Sequence, residues 1–175
     1  MSRDLRREAR ILLRHPHGWI ASGLGSGFSP WASGTTGSAA AVLIFVVCGA
    51  AFWPLWLNLL VAALTFAIGV LSAGWVCRAL DSEDASVIVI DEWVGQWLTL
   101  SVGLLTWPMG HSWSWPSFLV CGFLLFRLSD ILKPWPASKL DREMGGGLGA
   151  MADDAVAGVY SALALIALGW GLSVW

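Results

Sequence analysis

Three acidic positions border long uncharged stretches of this chain. Asp91-Glu92 precede the stretch 93–126, Asp130 follows it, and Asp153-Asp154 precede 155–175; neither stretch holds an Asp, Glu, Lys or Arg. Several carboxylate oxygens with no His or Cys among them match a hard divalent cation, Mg²⁺ before Ca²⁺ or Zn²⁺. Basic side chains stand close by in sequence. Arg127, Asp130 and Lys133 recur every three residues, along one side of a helix end. A carboxylate-held cation beside Arg and Lys is suited to phosphoryl chemistry. The simpler alternative is that the acids only complement helix N-termini, but that accounts for one acid per helix better than for two. Glycine spacing adds a second feature. Asp91 is followed at i+4 by Gly95, and Asp154 at i+4 by Gly158. Positions four apart share a helix face, so each glycine removes bulk beside a carboxylate and admits a helix or a ligand.

A hydroxyl-rich segment runs from Gly23 to Ser38 and includes Ser33, Thr35, Thr36 and Ser38. It lacks GxxxxGK[ST], so it is not a nucleotide-binding P-loop. Phe28 stands where a third glycine would complete GxGxxG. Backbone N–H groups and hydroxyls ahead of a helix remain able to cradle a phosphate. His15, His17 and His111 are placed away from the acids, and Cys48, Cys77 and Cys121 lack metal-ligand spacing.

These residues need elements that carry them to one place. The chain is 57% hydrophobic, with a mean hydropathy of +0.69, beyond an ordinary soluble domain. Residues 15–77 are also free of formal charge. A helix crossing a bilayer needs about 20 apolar residues. The three uncharged runs therefore predict two spans, two spans and one, at 39–53, 55–77, 91–107, 116–133 and 153–174. Trp- and Pro-rich tips at Trp53–Trp56 and Trp107–Pro116 turn the paired runs around, and tryptophans favour membrane interfaces. The fold expected is one all-α domain over residues 1–175, an integral membrane bundle of about five membrane-embedded helices. A basic surface helix over 2–14, bearing Arg3, Arg6, Arg7, Arg10 and Arg14, precedes it.

All 10 Lys/Arg and all 12 Asp/Glu then face one compartment, the cytoplasm by the positive-inside rule. The polar loops meet there by topology alone. No basic stripe for nucleic acid is present. A small transporter or a scaffold with an acidic cytoplasmic face is the alternative from another class. Transporters, however, place their carboxylates mid-span, and these acids sit at span ends.

Four stretches carry a family resemblance: Gly25 to Ser38 (GSGFSPWASGTTGS), Asp91 to Gly95 (DEWVG), Phe126 to Pro136 (FRLSDILKPWP) and Asp141 to Gly158 (DREMGGGLGAMADDAVAG). Through them the chain resembles the phosphatidylglycerophosphatase A family from about residue 19 onward. The family often has Ala-Pro-Gly-Thr where this chain has Ala32-Ser33-Gly34-Thr35. The resemblance implies a Mg²⁺-dependent lipid phosphatase of the bacterial inner membrane, converting phosphatidylglycerophosphate to phosphatidylglycerol and phosphate. The expected catalytic residues are Asp91, Glu92, Asp130 and Asp154. Glu92, Asp130, Asp153 and Asp154 are expected to hold the metal. Lys133, Arg127, Thr35, Thr36 and Ser38 are expected to hold substrate phosphate. Water activated by a carboxylate, with Asp91 as the base, and an Asp nucleophile stay open as routes.

Overall fold

A computed structural model of the chain describes residues 3–82, 85–109, 114–133, 135, 137 and 146–173. Every regular element among them is helical. Following the chain, these are α1 (Arg3–Leu12), α2 (Pro16–Ala21), α3 (Ser33–Val47), α4 (Leu55–Leu80), α5 (Ile90–Gly103), α6 (Trp115–Leu132) and α7 (Gly146–Ser173). Short 3₁₀ turns at Ser26–Phe28, Ala50–Phe52 and Leu104–Met109 link some of them.

The boundaries have local causes. Pro16 and Pro116 lie in the first turns of α2 and α6, where a missing N–H costs nothing. The Ser114 hydroxyl accepts the Ser117 N–H to cap α6. α6 ends with Lys133 in the left-handed region, at φ 42°. That conformation costs a non-glycine residue about 1–2 kcal/mol.

α5 is the axis of the bundle. Val94, Gly95, Gln96, Trp97, Thr99, Leu100, Ser101 and Gly103 are all buried, and α3, α4, α6 and α7 surround them. Its tightest crossing is with α7. A Cβ on Gly158 would fall 2.5 Å from the carbonyl oxygen of Gly95 and 2.8 Å from its Cα. Only glycine at both positions lets the backbones touch. Thr99 Oγ1 closes the crossing, 2.9 Å from the Gly95 carbonyl oxygen and 3.2 Å from that of Gly158. The i+4 glycines thus admit a helix.

The outer faces are apolar. Leu60, Leu64, Ile68 and Leu71 of α4, Leu124, Leu128 and Ile131 of α6, and Leu163 and Leu168 of α7 are exposed. Such faces suit hydrocarbon as solvent. Among the described residues three helices are long and apolar enough to cross a membrane: Leu55–Leu80, Trp115–Leu132 and Gly147–Gly171. The apolar helix Ser33–Val47 is shorter, at 15 residues, and α5, at 14 residues, is enclosed by its neighbours. Two expected boundaries move. α3 begins at Ser33, so Thr35, Thr36 and Ser38 belong to its first turns. α7 begins at Gly146, so Asp153-Asp154 sit two turns inside it. α1 occupies the expected basic segment.

Candidate functional site

The first turn of α5 supplies Asp91 and Glu92. The Glu92 N–H donates to Asp91 Oδ1 at 3.0 Å, which satisfies one of the amides that the helix start leaves free. α7 brings Asp154 to the same point across the Gly95–Gly158 crossing. A Cβ on Gly95 would lie 2.6 Å from the Asp154 carbonyl oxygen, so α7 rests on α5 at the level of the acid. One ligand oxygen from each of Asp91, Glu92 and Asp154 lies within 4.8 Å of the others. Asp130 of α6 lies close enough for its charge to act on Asp154.

The cations are fixed by the same elements. Arg127 Nη1 lies 2.7 Å from Asp130 Oδ2 and 3.9 Å from Glu92 Oε1, and it donates to Ser38 Oγ at 3.3 Å. Arg127 thereby ties α6 to α5 and α3. Lys133 Nζ lies 2.7 Å from Asp153 Oδ2. The left-handed turn at Lys133 carries that ammonium back toward α7.

α3 closes the remaining side. Its N-terminus has no side-chain cap, and its second residue is Gly34. A Cβ there would collide with Glu92 Oε1 and lie 3.1 Å from Arg127 Nη2. Gly34 escaped the expected site, because residues 33–38 read in sequence as a loop and not as the start of a helix. Ser38 is buried, accepts from Arg127 and donates to the Gly34 carbonyl at 2.9 Å. Thr36 is exposed, and its hydroxyl lies 2.8 Å from the Ala32 carbonyl and 2.9 Å from that of Ser33. Thr35 is exposed on the same turn.

The structure thus gathers Asp91, Glu92 and Asp154, places Asp130 beside them, and turns Asp153 to Lys133. His15 and His17 are elsewhere. His15 stacks on Trp75 at 4.4 Å between centroids, and His17 Nδ1 meets Ser72 Oγ at 3.1 Å. His111, Asp141 and Pro134 lie outside the described residues.

A divalent cation fits this place. Glu92 Oε2 is buried without a hydrogen-bond partner, and the converging ligand atoms are all carboxylate oxygens. Like charges this close disfavour one another's ionisation unless a cation compensates them. Oxygen-only donors select a hard cation such as Mg²⁺.

An all-helical, lipid-facing bundle that presents clustered carboxylates beside Arg127 and an uncapped helix N-terminus has the attributes of a membrane enzyme handling phosphate esters. Comparison with known proteins narrows the class. Residues 19–169 match the family Phosphatidylglycerophosphatase A. The Phosphatidylglycerophosphatase A of Escherichia coli (strain K12) is 38% identical over 169 residues, 95% of this chain and 92% of the relative. That of Haemophilus influenzae is 31% identical over 159 residues, 91% of this chain and 92% of the relative. A Bacteroides thetaiotaomicron protein, for which a phosphatidylinositol-3-phosphatase activity is proposed, is 38% identical over 160 residues, 86% of this chain and 92% of the relative. No solved structure matches the chain. The chain belongs to the phosphatidylglycerophosphatase A family and is an enzyme of the lipid phosphatase class.

Proposed function

We propose that this protein removes the terminal phosphate of phosphatidylglycerophosphate in a Mg²⁺-dependent reaction at the cytoplasmic face of the bacterial inner membrane. The observation that carries the proposal is the meeting of Asp91, Glu92 and Asp154 oxygens within 4.8 Å, beside Arg127 and under the start of α3. The relatives' names supply the substrate. Charge distribution supplies the face, because every cation of the chain falls outside its uncharged stretches. In this reading α3 and α5 are membrane-embedded alongside the three long helices, giving five.

Asp91, Glu92 and Asp154 would hold the metal. When bound, Mg²⁺ supplies charge neutralisation at the phosphoryl oxygens and acidifies water. The protein's own groups do the rest. The free N–H groups at the start of α3 face the phosphate, with Gly34 letting Glu92 and Arg127 close up against the helix start and Thr35 lending a hydroxyl. Arg127, held by Asp130 and Ser38, presents its fixed fork to phosphate oxygens. Lys133 adds positive charge at the rim. Asp130 lies beside the three ligands without belonging to them, and it takes the proton of the attacking water. The acyl chains lie along the exposed leucines of α6.

The test is phosphate release by the detergent-purified protein, with Mg²⁺ or EDTA, on phosphatidylglycerophosphate and on phosphatidylinositol 3-phosphate in parallel. Mg²⁺-dependent release from the first, collapsing in a folded Asp154→Asn variant, is expected. Release from the inositol lipid alone would transfer the substrate assignment. Release unaffected by EDTA would remove the metal.

A further inference from the structure

The mechanism leaves a block of positive charge unused. α1 turns Leu12, fully buried, and Leu5 toward the core that α2 and α4 share. Its other side carries Arg6, Arg7 and Arg10, which with Ile11 and with Arg14 just past the helix end line an open groove of about 710 Å³. A second groove of about 410 Å³ runs along Arg6, Ala9, Arg10, Leu13 and Arg14. Among the described residues no ion pair engages these four arginines, whereas Arg127 has two acidic neighbours. Glu8 lines an adjoining groove that shares Arg7 and Ile11 and continues to Ser82 and Ser86. Arg6 and Arg10 lie at i+4 on α1, a spacing at which like charges destabilise a helix by a few tenths of a kcal/mol, and Arg14 follows just past its end. An anion lying on this row would relieve that repulsion.

Apolar neighbours indicate which anion. Ile11 is 40% exposed, Trp19 44% and Leu24 63%. Trp19 Nε1 donates to the Leu13 carbonyl at 2.9 Å, which holds the indole beside the end of α1. Guanidinium groups interleaved with exposed apolar side chains suit the boundary between phosphate and acyl chain, not a soluble polyanion. Among the described residues three helices are long and apolar enough to cross a membrane, and in the proposed orientation this face lies at its surface.

We infer that the α1 groove is a second phospholipid site, separate from the carboxylate centre, that binds the phosphate of an anionic lipid. The arginines hold the phosphate oxygens as charge-assisted forks, and Ile11 and Trp19 rest on the glycerol and acyl region.

The experiment uses the intact protein in detergent with equal amounts of dioleoylphosphatidylglycerol and dioleoylphosphatidylcholine, counting retained lipid by native mass spectrometry. Wild type should prefer the anionic lipid, and the preference should fall as salt rises. Replacing Arg6, Arg10 and Arg14 together by Gln should weaken it about fivefold per arginine, while the Lys to Gln change at position 133 should leave it in place. No preference in wild type, or one that survives the triple change, overturns the second site. Loss in Lys133→Gln alone assigns the lipid to the carboxylate centre and also overturns it. If the triple variant does not fold, Arg10→Glu and the wild-type salt titration decide, and indifference to both overturns it.

Discussion

α5 and α7 each carry an acidic pair four residues ahead of a glycine, yet the two pairs behave differently. On α5 both acids belong to the first turn and both join the carboxylate group. On α7 the pair lies two turns in, Asp154 joins the group, and Asp153 turns to Lys133. Adjacent helical residues are about 100° apart, so only one of an interior pair can face a given neighbour. At a first turn the free N–H groups also favour negative charge, which helps α5 hold two. The first helix start presents two carboxylates to the group. The second separates one such carboxylate from an ion pair.

The largest effect should come from Asp154. Asp154→Asn keeps the shape and removes the charge, and kcat should fall about a thousandfold, the several kcal/mol that a metal contributes at a phosphoryl transition state. Glu92→Gln should match it. Steady-state phosphate release with a thermal melt as control checks both, and an active Asp154→Asn enzyme would break the distinction between the two α7 acids.

Next is the crossing that both helices need. Gly158→Leu places a side chain where the Gly95 backbone already lies. Overpacking of this kind costs about 1–3 kcal/mol or more. The variant should melt lower and lose activity with its fold. A Gly158→Leu protein that melts like wild type would mean that the helices do not touch there.

Much of this arrangement is legible in sequence, and the reasons are specific. The uncharged runs mark α4, α6 and α7, because burying a charge in hydrocarbon is costly. Helical period does not separate the two α7 acids, because Asp153 with Ala157 and Ser161 is as buried as Asp154 with Ala162 and Leu165; contacts across the bundle turn Asp153 to Lys133 and Asp154 to the carboxylate group. The start of α7 is harder, because the glycines before Leu148 read as a loop, each costing about 1 kcal/mol in a helix. Tertiary contact overrides that preference. Gly147 lies against the Val70 carbonyl and the Gly74 backbone of α4, where a side chain would not fit. Residues Ser33 to Ser38 also read as a loop, being poor helix formers. Their helix is held by partners remote in sequence, Gly37 on Val89 and Ser38 on Arg127. No local pattern announces those contacts.

Arg127 sharpens the comparison from the third helix. Arg127→Lys keeps the charge but loses the fork that reaches Asp130, Glu92 and Ser38 together. A loss of about 10²-fold is expected, at the upper end for a residue that orients ligands. Both kcat and KM should change if, as proposed, the same group meets the substrate.

The smallest effect distinguishes the paired acid from the ligands. Asp153→Asn should lower kcat by about tenfold, as an outer partner does, with Mg²⁺ affinity little changed. Lys133→Met removes the ammonium beside a buried carboxylate, since the Asp153 side chain is 6% exposed, and should cost more than Asp153→Asn. The double variant removes both charges and should recover part of that loss, with a coupling of about 1–2 kcal/mol in stability. Thermal melts of the four proteins measure it. Independent, additive effects would mean that Lys133 serves the substrate rather than Asp153. A Mg²⁺ requirement that rises steeply in Asp153→Asn would put both α7 acids on the metal and erase the difference between the two helix starts.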